Sequence, residues 1–281
     1  MAVAVSRSAV EDLECELLLE ALRRLFDTDL RALERAPLQE RLLAFMRARG
    51  LPSLSALQAQ ALHDEAVGLE LLRCLSVRPA ALFDDPARIA ALRQTLGPWL
   101  RSCPVARVWV SECTGVEDVY TLAILLREEG FYDKTLLFAT AASETMLGAA
   151  RSGCIPAAEF WRYQQNYLRS GGRLSLSDYL EPEPDAAGNL AFRPELGRNI
   201  IWAQYNLATD ASFNEFQLIV CRGAIADLRP AMRQRALKLF HESLAVFGYL
   251  SVHPDDALAH LPDGVDLRAV HAESGLYRRV A

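Results

Sequence analysis

The spacing of apolar residues divides the chain into two parts. From about Leu13 to Leu75, leucines recur at three- and four-residue steps, the pattern of amphipathic helices that pack on one another. Gly50 and the serines that follow it, in "RGLPSLSAL", supply a stop and an N-cap between two of these helices. We therefore predict a helical N-terminal domain over residues 1–85, followed by a proline-punctuated linker over residues 86–104.

Beyond the linker, the pattern changes to strands that alternate with helices. The apolar runs predicted as strands are "ARVWVSE", "KTLLFATA", "NIIWAQY", "FQLIVCR" and "YLSVH". The helical patterns between them are "VEDVYTLAILLREEG", "SETMLGAARSG" and "RPAMRQRALKLFHESLAVFG", and the closing "VDLRAVHAESGLYRRVA" suits an antiparallel hairpin with Gly275 near its turn. This alternation predicts an α/β domain over residues 105–281, with a mostly parallel sheet covered by helices on both faces.

An aromatic segment interrupts this alternation between the second and third predicted strands. It contains several glycines and prolines and is too long for a simple connection between a helix and a strand. We predict that this insert, at about residues 155–199, has structure of its own and includes a short β-element.

Composition narrows the class of protein. The 281 residues are 51% apolar and 23% charged, as in ordinary globular proteins. Six scattered cysteines without a C-x-x-C pair disfavour a zinc site and a disulfide framework, and they favour a reducing cytoplasm. No apolar run approaches the ~18 residues that cross a bilayer, and the first residues lack the pattern of a secretion signal. We expect a cytoplasmic protein that does not insert into membranes.

The charge distribution argues against a nucleic-acid partner. The formal net charge is -6, whereas neutralising phosphates requires a cationic face. One local excess exists, because the stretch from Arg23 to Arg49 has seven arginines and four acids. We favour a solvated helical face here, and the alternative is a docking surface for an acidic partner helix.

The ends of the predicted strands are where chemistry is expected. In an open parallel sheet, ligands bind beyond the carboxyl ends of the strands. These ends read "SECTGVE", "ATAASE", "QYNLAT" and "CRGAIAD". The first would be a phosphate- or nucleoside-binding turn, yet Gly115 stands alone and Val116 follows it, where such turns are usually glycine-rich.

These four strand ends, behind a helical N-terminal domain, resemble the CheR-type chemoreceptor glutamate O-methyltransferases. The resemblance extends from about Leu17 to Tyr277. It implies a Rossmann-like class I methyltransferase sheet with a small β-insert, and S-adenosylmethionine as cofactor, with S-adenosylhomocysteine as its product. It also implies a signalling partner, such as a cytoplasmic helix or tail of a chemoreceptor.

Some positions of the family's cofactor site are retained. Glu117 falls on the acid that the resemblance implies to contact the cofactor, and Asn206 and Leu207 match the family's pair at the third strand end. Gly223 stands at the fourth strand end, where the family has an asparagine. We expect these four residues to line a cofactor site, and we assign no catalytic residue and no metal ligand.

Other family positions are altered. At the strand ends, Val116 replaces a glycine, Ala141 replaces the acid that would bind the ribose hydroxyls, and Asp227 replaces a tyrosine. In the preceding segment, an asparagine, a threonine and an arginine of the family correspond here to Arg78, Ala80 and Asp84. Four or five lost hydrogen bonds would remove roughly 3–6 kcal/mol of binding free energy, about a hundred- to ten-thousandfold in affinity. Asp84 and Asp227 would also repel a substrate carboxylate if they faced the pocket.

Three functional hypotheses follow. The first is a pseudoenzyme with impaired S-adenosylmethionine binding that acts through protein partners in a bacterial chemosensory pathway. The second is an active glutamate methyltransferase with a rebuilt pocket, and the third is a pocket for another small anion, with Arg78 and Arg222 as its contacts.

Three of the residues singled out also have purely structural explanations. Glu117 is equally explained as the cap of a helix, and Asn206 as a turn residue after a strand. Arg222 could be the partner in a structural ion pair.

Overall fold

The computed structural model describes most of the chain. The described residues are 7–26, 28–76, 81–113, 115–222, 225, 227–254, 258 and 261–280. The predictions made for Arg78, Ala80 and Gly223 lie outside them.

The N-terminal part is helical, as its leucine spacing predicts. Its helices are α1 (Arg7–Phe26), α2 (Arg35–Ala48), α3 (Leu54–His63) and α4 (Glu65–Ser76). Ser53 caps α3, because its hydroxyl accepts a hydrogen bond from the backbone N–H of Ala56 at 3.2 Å. The leucine faces of the four helices meet in one core, where Leu18, Leu42 and Leu57 are fully buried.

The stretch predicted as a linker forms a helix instead. Helix α5 (Pro86–Ser102) begins at Pro86 and is capped by Asp85, while Pro98 lies inside it. Its buried face includes Ile89, Leu92 and Leu96, which pack against the sheet domain. The linker prediction gave the prolines too much weight, because burial of this apolar face outweighs the hydrogen bond lost at one proline.

The described residues form nine strands in two sheets. The strands are β1 (Ala106–Ser111), β2 (Thr135–Ala141), β3 (Cys154–Pro156), β4 (Asn189–Ala191), β5 (Ile200–Gln204), β6 (Phe216–Cys221), β7 (Leu244–Val252), β8 (Leu267–His271) and β9 (Leu276–Arg279). The large sheet has the order β5-β2-β1-β6-β7-β9-β8, and its first five strands are parallel. Strands β8 and β9 form the predicted antiparallel hairpin, and Gly275 takes a left-handed conformation before β9. The predicted fold class is confirmed.

Five further helices accompany the strands. They are α6 (Glu117–Glu128), α7 (Glu144–Arg151), α8 (Phe160–Arg169), α9 (Pro194–Gly197) and α10 (Pro230–Ser243). We predicted that the last of these continues to Gly248, but it ends at Ser243 and β7 begins at the next residue. The segment Leu244–Val252 pairs with β6, and this ladder overrides the helical pattern of its first residues.

None of the helices in these ranges is long and apolar enough to cross a membrane.

The insert has structure of its own, as predicted. Strands β3 and β4 pair antiparallel, and α8 lies between them in sequence. Glu128 of α6 anchors the insert, because the hydroxyls of Tyr167 and Tyr179 both donate to its carboxylate. Arg93 of α5 forms a 2.7 Å ion pair with the same buried carboxylate.

The helical part lies against the carboxyl ends of the parallel strands. The hydroxyl of Ser143, after β2, donates to the backbone oxygen of Phe26 at the end of α1, at 2.9 Å. Arg41 of α2 forms an ion pair with Asp227, which follows β6. The backbone N–H of Glu34 donates to the oxygen of Asp227 at 2.6 Å. These contacts place the segment after α1 beside the strand ends.

Replacing Glu128 with glutamine tests the anchor of the insert. The variant leaves Arg93 buried with less compensation and weakens both tyrosine hydrogen bonds, so we expect about 2–4 kcal/mol lower free energy of unfolding. Urea denaturation followed by circular dichroism measures this. The control is Glu195→Gln, because the Glu195 side chain is half-exposed and lies 4.0 Å from its arginine partner, and we expect less than about 0.5 kcal/mol there. Equal midpoints for the two variants would contradict this account of the insert.

Candidate functional site

A cleft opens where the first three parallel strands end. It has a volume of about 140 Å³ and lies between the strand ends and the segment after α1. Its walls include Glu112 after β1, Ala142 after β2, Asn206 and Leu207 after β5, and Thr28 after α1. Small-molecule pockets usually measure about 300–1,000 Å³, so this cleft is small for a nucleoside ligand. Among the described residues, no group of three or more His, Cys, Asp or Glu side chains could hold a metal ion.

Glu112 is the unexpected residue of the cleft. It directly follows β1 and has a φ of 56°, in the left-handed region that favours glycine. Burial raises the pKa of its carboxyl to about 7, and no described residue forms a hydrogen bond or an ion pair with its side chain. The sequence analysis missed this residue. A signal was present, because Glu112 stands directly after the first predicted strand, where the turn of a nucleoside site usually has a glycine.

Glu117 begins α6, beside the cleft. Its carboxylate folds back over Gly115, so that a β-carbon on Gly115 would overlap it. Burial raises the pKa of Glu117, while a hydrogen bond from its own backbone N–H acts in the opposite direction. Glu117 lies in the first turn of α6, where an acid is favourable, but the N-cap residue is Val116 and no side-chain hydrogen bond caps the helix.

Val116 does not strain the turn. Its φ is -79°, so the backbone at this position does not require glycine. The side chain is buried in the core that includes Val119 and Tyr120, and it does not line the cleft. The positive φ of this turn lies at Glu112 instead.

Ala141 ends β2 without a polar side chain. It is buried, and its backbone oxygen accepts a hydrogen bond from the N–H of Tyr205 at 2.9 Å. Ala142, the next residue, lines the cleft with a methyl group. This strand end therefore provides no carboxylate for ribose hydroxyls.

Asn206 and Leu207 do lie in the cleft wall, as the resemblance implies. The side-chain oxygen of Asn206 accepts from the backbone N–H of Ala208 at 2.8 Å. The backbone N–H of Asn206 donates to Asp210 at 3.0 Å. Asn206 thus closes the turn after β5, in agreement with the structural explanation offered for it. Leu207 is buried and joins the apolar core.

The two acids that stand at altered family positions, Asp84 and Asp227, form ion pairs within the chain. Asp84 lies 2.6 Å from Arg222, which is 8% exposed, and Asp118 of α6 binds the same guanidinium at 3.1 Å. Asp227 is buried in its ion pair with Arg41. The expected repulsion of a substrate carboxylate is therefore wrong for both residues, because each faces an arginine.

The same arrangement bears on the hypothesis of an anion pocket. Arg222 is bound to two carboxylates, so it has little charge left to attract a further anion. Nearby, burial and then repulsion from Arg222 lower the pKa of Arg88 to about 10. Arg222 is the structural ion-pair partner that the sequence allowed.

The raised pKa of Glu112 predicts a pH-dependent stability. The folded state binds this proton more tightly than the unfolded chain, where the pKa is about 4.3. Its contribution to stability is therefore present at low pH and is lost as the pH rises from about 4 through 7. We expect Glu112→Gln to melt close to wild type at pH 5 and above it at pH 8, in thermal unfolding.

The control for this experiment is Glu183→Gln, which changes an exposed acid of the insert. Its melting temperature should differ from wild type by the same small amount at both pH values. A constant difference between wild type and Glu112→Gln would contradict the burial of the Glu112 carboxyl.

Comparisons with known proteins show the family of the chain. The family described as CheR methyltransferase, SAM binding domain, matches residues 80–271. Cher3 of Pseudomonas putida is 36% identical over 239 residues, which cover 85% of this chain and 86% of that protein. Chemotaxis protein methyltransferase 1 of Pseudomonas aeruginosa is 25% identical over 79% of this chain and 82% of its own length.

Among solved structures, the amino pentose methyltransferase CalS10 of Micromonospora echinaspora, with bound SAM, is a distant match. Its TM-score is 0.38 at 14% identity, covering 73% of this chain and 62% of that one. The family match extends over more than half of the chain, and Cher3 matches along most of its length. The chain belongs to the CheR methyltransferase family, whose cofactor is S-adenosylmethionine.

Proposed function

We propose that this chain is a CheR-family protein that binds S-adenosylmethionine weakly and acts through a protein partner in a chemosensory pathway. The observation that supports this most directly is the cleft at the strand ends. It is small, it contains the Glu112 side chain, and the end of β2 provides no acid.

The residues present do not fit the cofactor well. Its ribose hydroxyls require an acceptor at the end of β2, where Ala141 and Ala142 offer none. Its amino-acid end carries a carboxylate, yet the nearby Arg222 is already bound by Asp84 and Asp118. The side-chain oxygen of Asn206 is used in its own turn. Each of these groups would be left with fewer partners than it has in water, which lowers affinity.

A partner surface made of the arginines between Arg23 and Arg49 is not favoured. Six of these seven arginines form ion pairs within the chain; their partners are Glu20 for two of them, then Asp29, Asp12, Asp227 and Glu70. This supports the solvated helical face over the docking surface. The proposal of a signalling partner rests on family membership, because the relatives include a chemotaxis protein methyltransferase.

The competing proposal is an active enzyme with a rebuilt pocket. Methyl transfer to a glutamate needs no general base, because the carboxylate is already ionised and catalysis depends on alignment of the reacting atoms. Loss of single side chains would therefore be tolerated provided that the cofactor still binds. Binding of the cofactor is what separates the two proposals.

We expect the wild-type protein to bind S-adenosylhomocysteine and S-adenosylmethionine with dissociation constants of about 1 mM or weaker. The reason is the combined loss of ribose and carboxylate partners described above. Isothermal titration calorimetry at millimolar ligand measures this, and a canonical CheR protein such as the Pseudomonas aeruginosa relative serves as the positive control. Micromolar binding by this chain would contradict the proposal.

We also expect no methyl transfer to chemoreceptor cytoplasmic fragments, together with direct binding to such a fragment that S-adenosylhomocysteine does not alter. Tritium incorporation from labelled S-adenosylmethionine measures the first, and surface plasmon resonance measures the second. Labelled glutamates in the fragment would support the active enzyme instead.

A further inference from the structure

We propose that the side chain of Glu112 closes the cofactor cleft, by filling space that a glycine at this position would leave to a ligand. This inference rests on the proposed function, and it names one residue that lowers the affinity for the cofactor in addition to the lost hydrogen-bond partners.

The first argument is position. Strand β1 is paired on both sides, with β2 and with β6, so the residue after it stands at the centre of the strand ends. Glu112 is that residue, and it shares one cavity with Asn206 and Leu207, the pair that match the family's third strand end. Atoms added at Glu112 therefore reduce the same cavity.

The second argument is the backbone. Ser111 is held in the ladder opposite Cys221, and the N–H of Cys113 donates to the backbone oxygen of Thr140 at 2.8 Å. Glu112, between them, has a φ of 56°, which glycine adopts freely and glutamate does not. Because both neighbours are fixed, the Glu112 side chain stands on a backbone conformation that suits glycine.

The surroundings of the Glu112 side chain are largely apolar. The walls around Glu112 include the apolar residues Leu30, Leu207, Leu228 and Met232. No described residue pairs with the carboxylate. A ligand entering the cleft would have to displace this side chain.

The other altered positions within the described ranges, which are Val116, Ala141, Asp84 and Asp227, do not add atoms to the cleft. The side chains of Val116 and Ala141 do not line it, and Asp84 and Asp227 are bound to arginines. Replacement of the family side chains at these positions removes contacts with the cofactor. The Glu112 side chain instead takes up volume in the cavity. This difference makes the proposal testable with one residue.

The test compares Glu112→Gly, Glu112→Ala and Glu112→Gln with the wild type by calorimetric titration with S-adenosylhomocysteine. Glycine and alanine remove the volume, and glutamine keeps the volume while removing the charge. We expect Glu112→Gly and Glu112→Ala to bind at least about tenfold more tightly than wild type, and Glu112→Gln to stay within about threefold of it. Thermal unfolding gives a second readout, with Glu112→Gly melting above Glu112→Ala because glycine removes the strain at positive φ.

Three results would contradict closure of the cleft by Glu112 or the proposed function. Weak wild-type binding with no gain in Glu112→Gly or Glu112→Ala would overturn this inference and leave the proposed function standing. A gain in Glu112→Gln equal to that in Glu112→Gly would overturn closure by volume. Micromolar binding by the wild type would overturn the proposed function, whichever way the variants behave.

Discussion

The parallel pairing of β1 with β2 on one side and β6 on the other is the constraint on which the site depends. Because all three strands run the same way, the residues that follow them meet at one edge of the sheet. The segment after α1 then lies against this edge through the Ser143 contact and the ion pair of Arg41 with Asp227. The residue directly after β1 therefore lies between the sheet edge and this segment. In this chain it is Glu112, which is half-buried.

Charge pairing joins the end of β6 to the segments beside it. Arg222 follows β6 and binds Asp84 and Asp118, so one buried cation joins the sheet, the segment before α5 and the start of α6. Removing either carboxylate would leave the buried arginine partly uncompensated, which costs folding free energy. The three residues therefore depend on one another. An arginine at position 84 would repel Arg222. The aspartate at this position is therefore explained by its ion pair with Arg222 and not by contact with a substrate.

The sequence predicts the fold well because strand and helix periodicities differ clearly over most of the chain. The prediction fails where two patterns overlap, as over Leu244–Gly248, where a helical stripe runs directly into the residues that pair with β6 from Tyr249 onward. It also fails at α5, where proline spacing suggested a linker. The site is harder to predict, because the partners of Arg222 are 104 and 138 residues away and the positive φ of Glu112 follows from its fixed neighbours.

The central claim is that the cleft of this CheR-family chain is closed to the adenosyl cofactor. A crystal structure of the wild-type protein grown with about 50 μM S-adenosylhomocysteine, well below the expected dissociation constant of about 1 mM, tests this closure. The account predicts a cleft without adenosyl density, with the Glu112 side chain between the strand ends and Asn206. Adenosyl density against Asn206 and Leu207, with Glu112 turned out of the cleft, would contradict it.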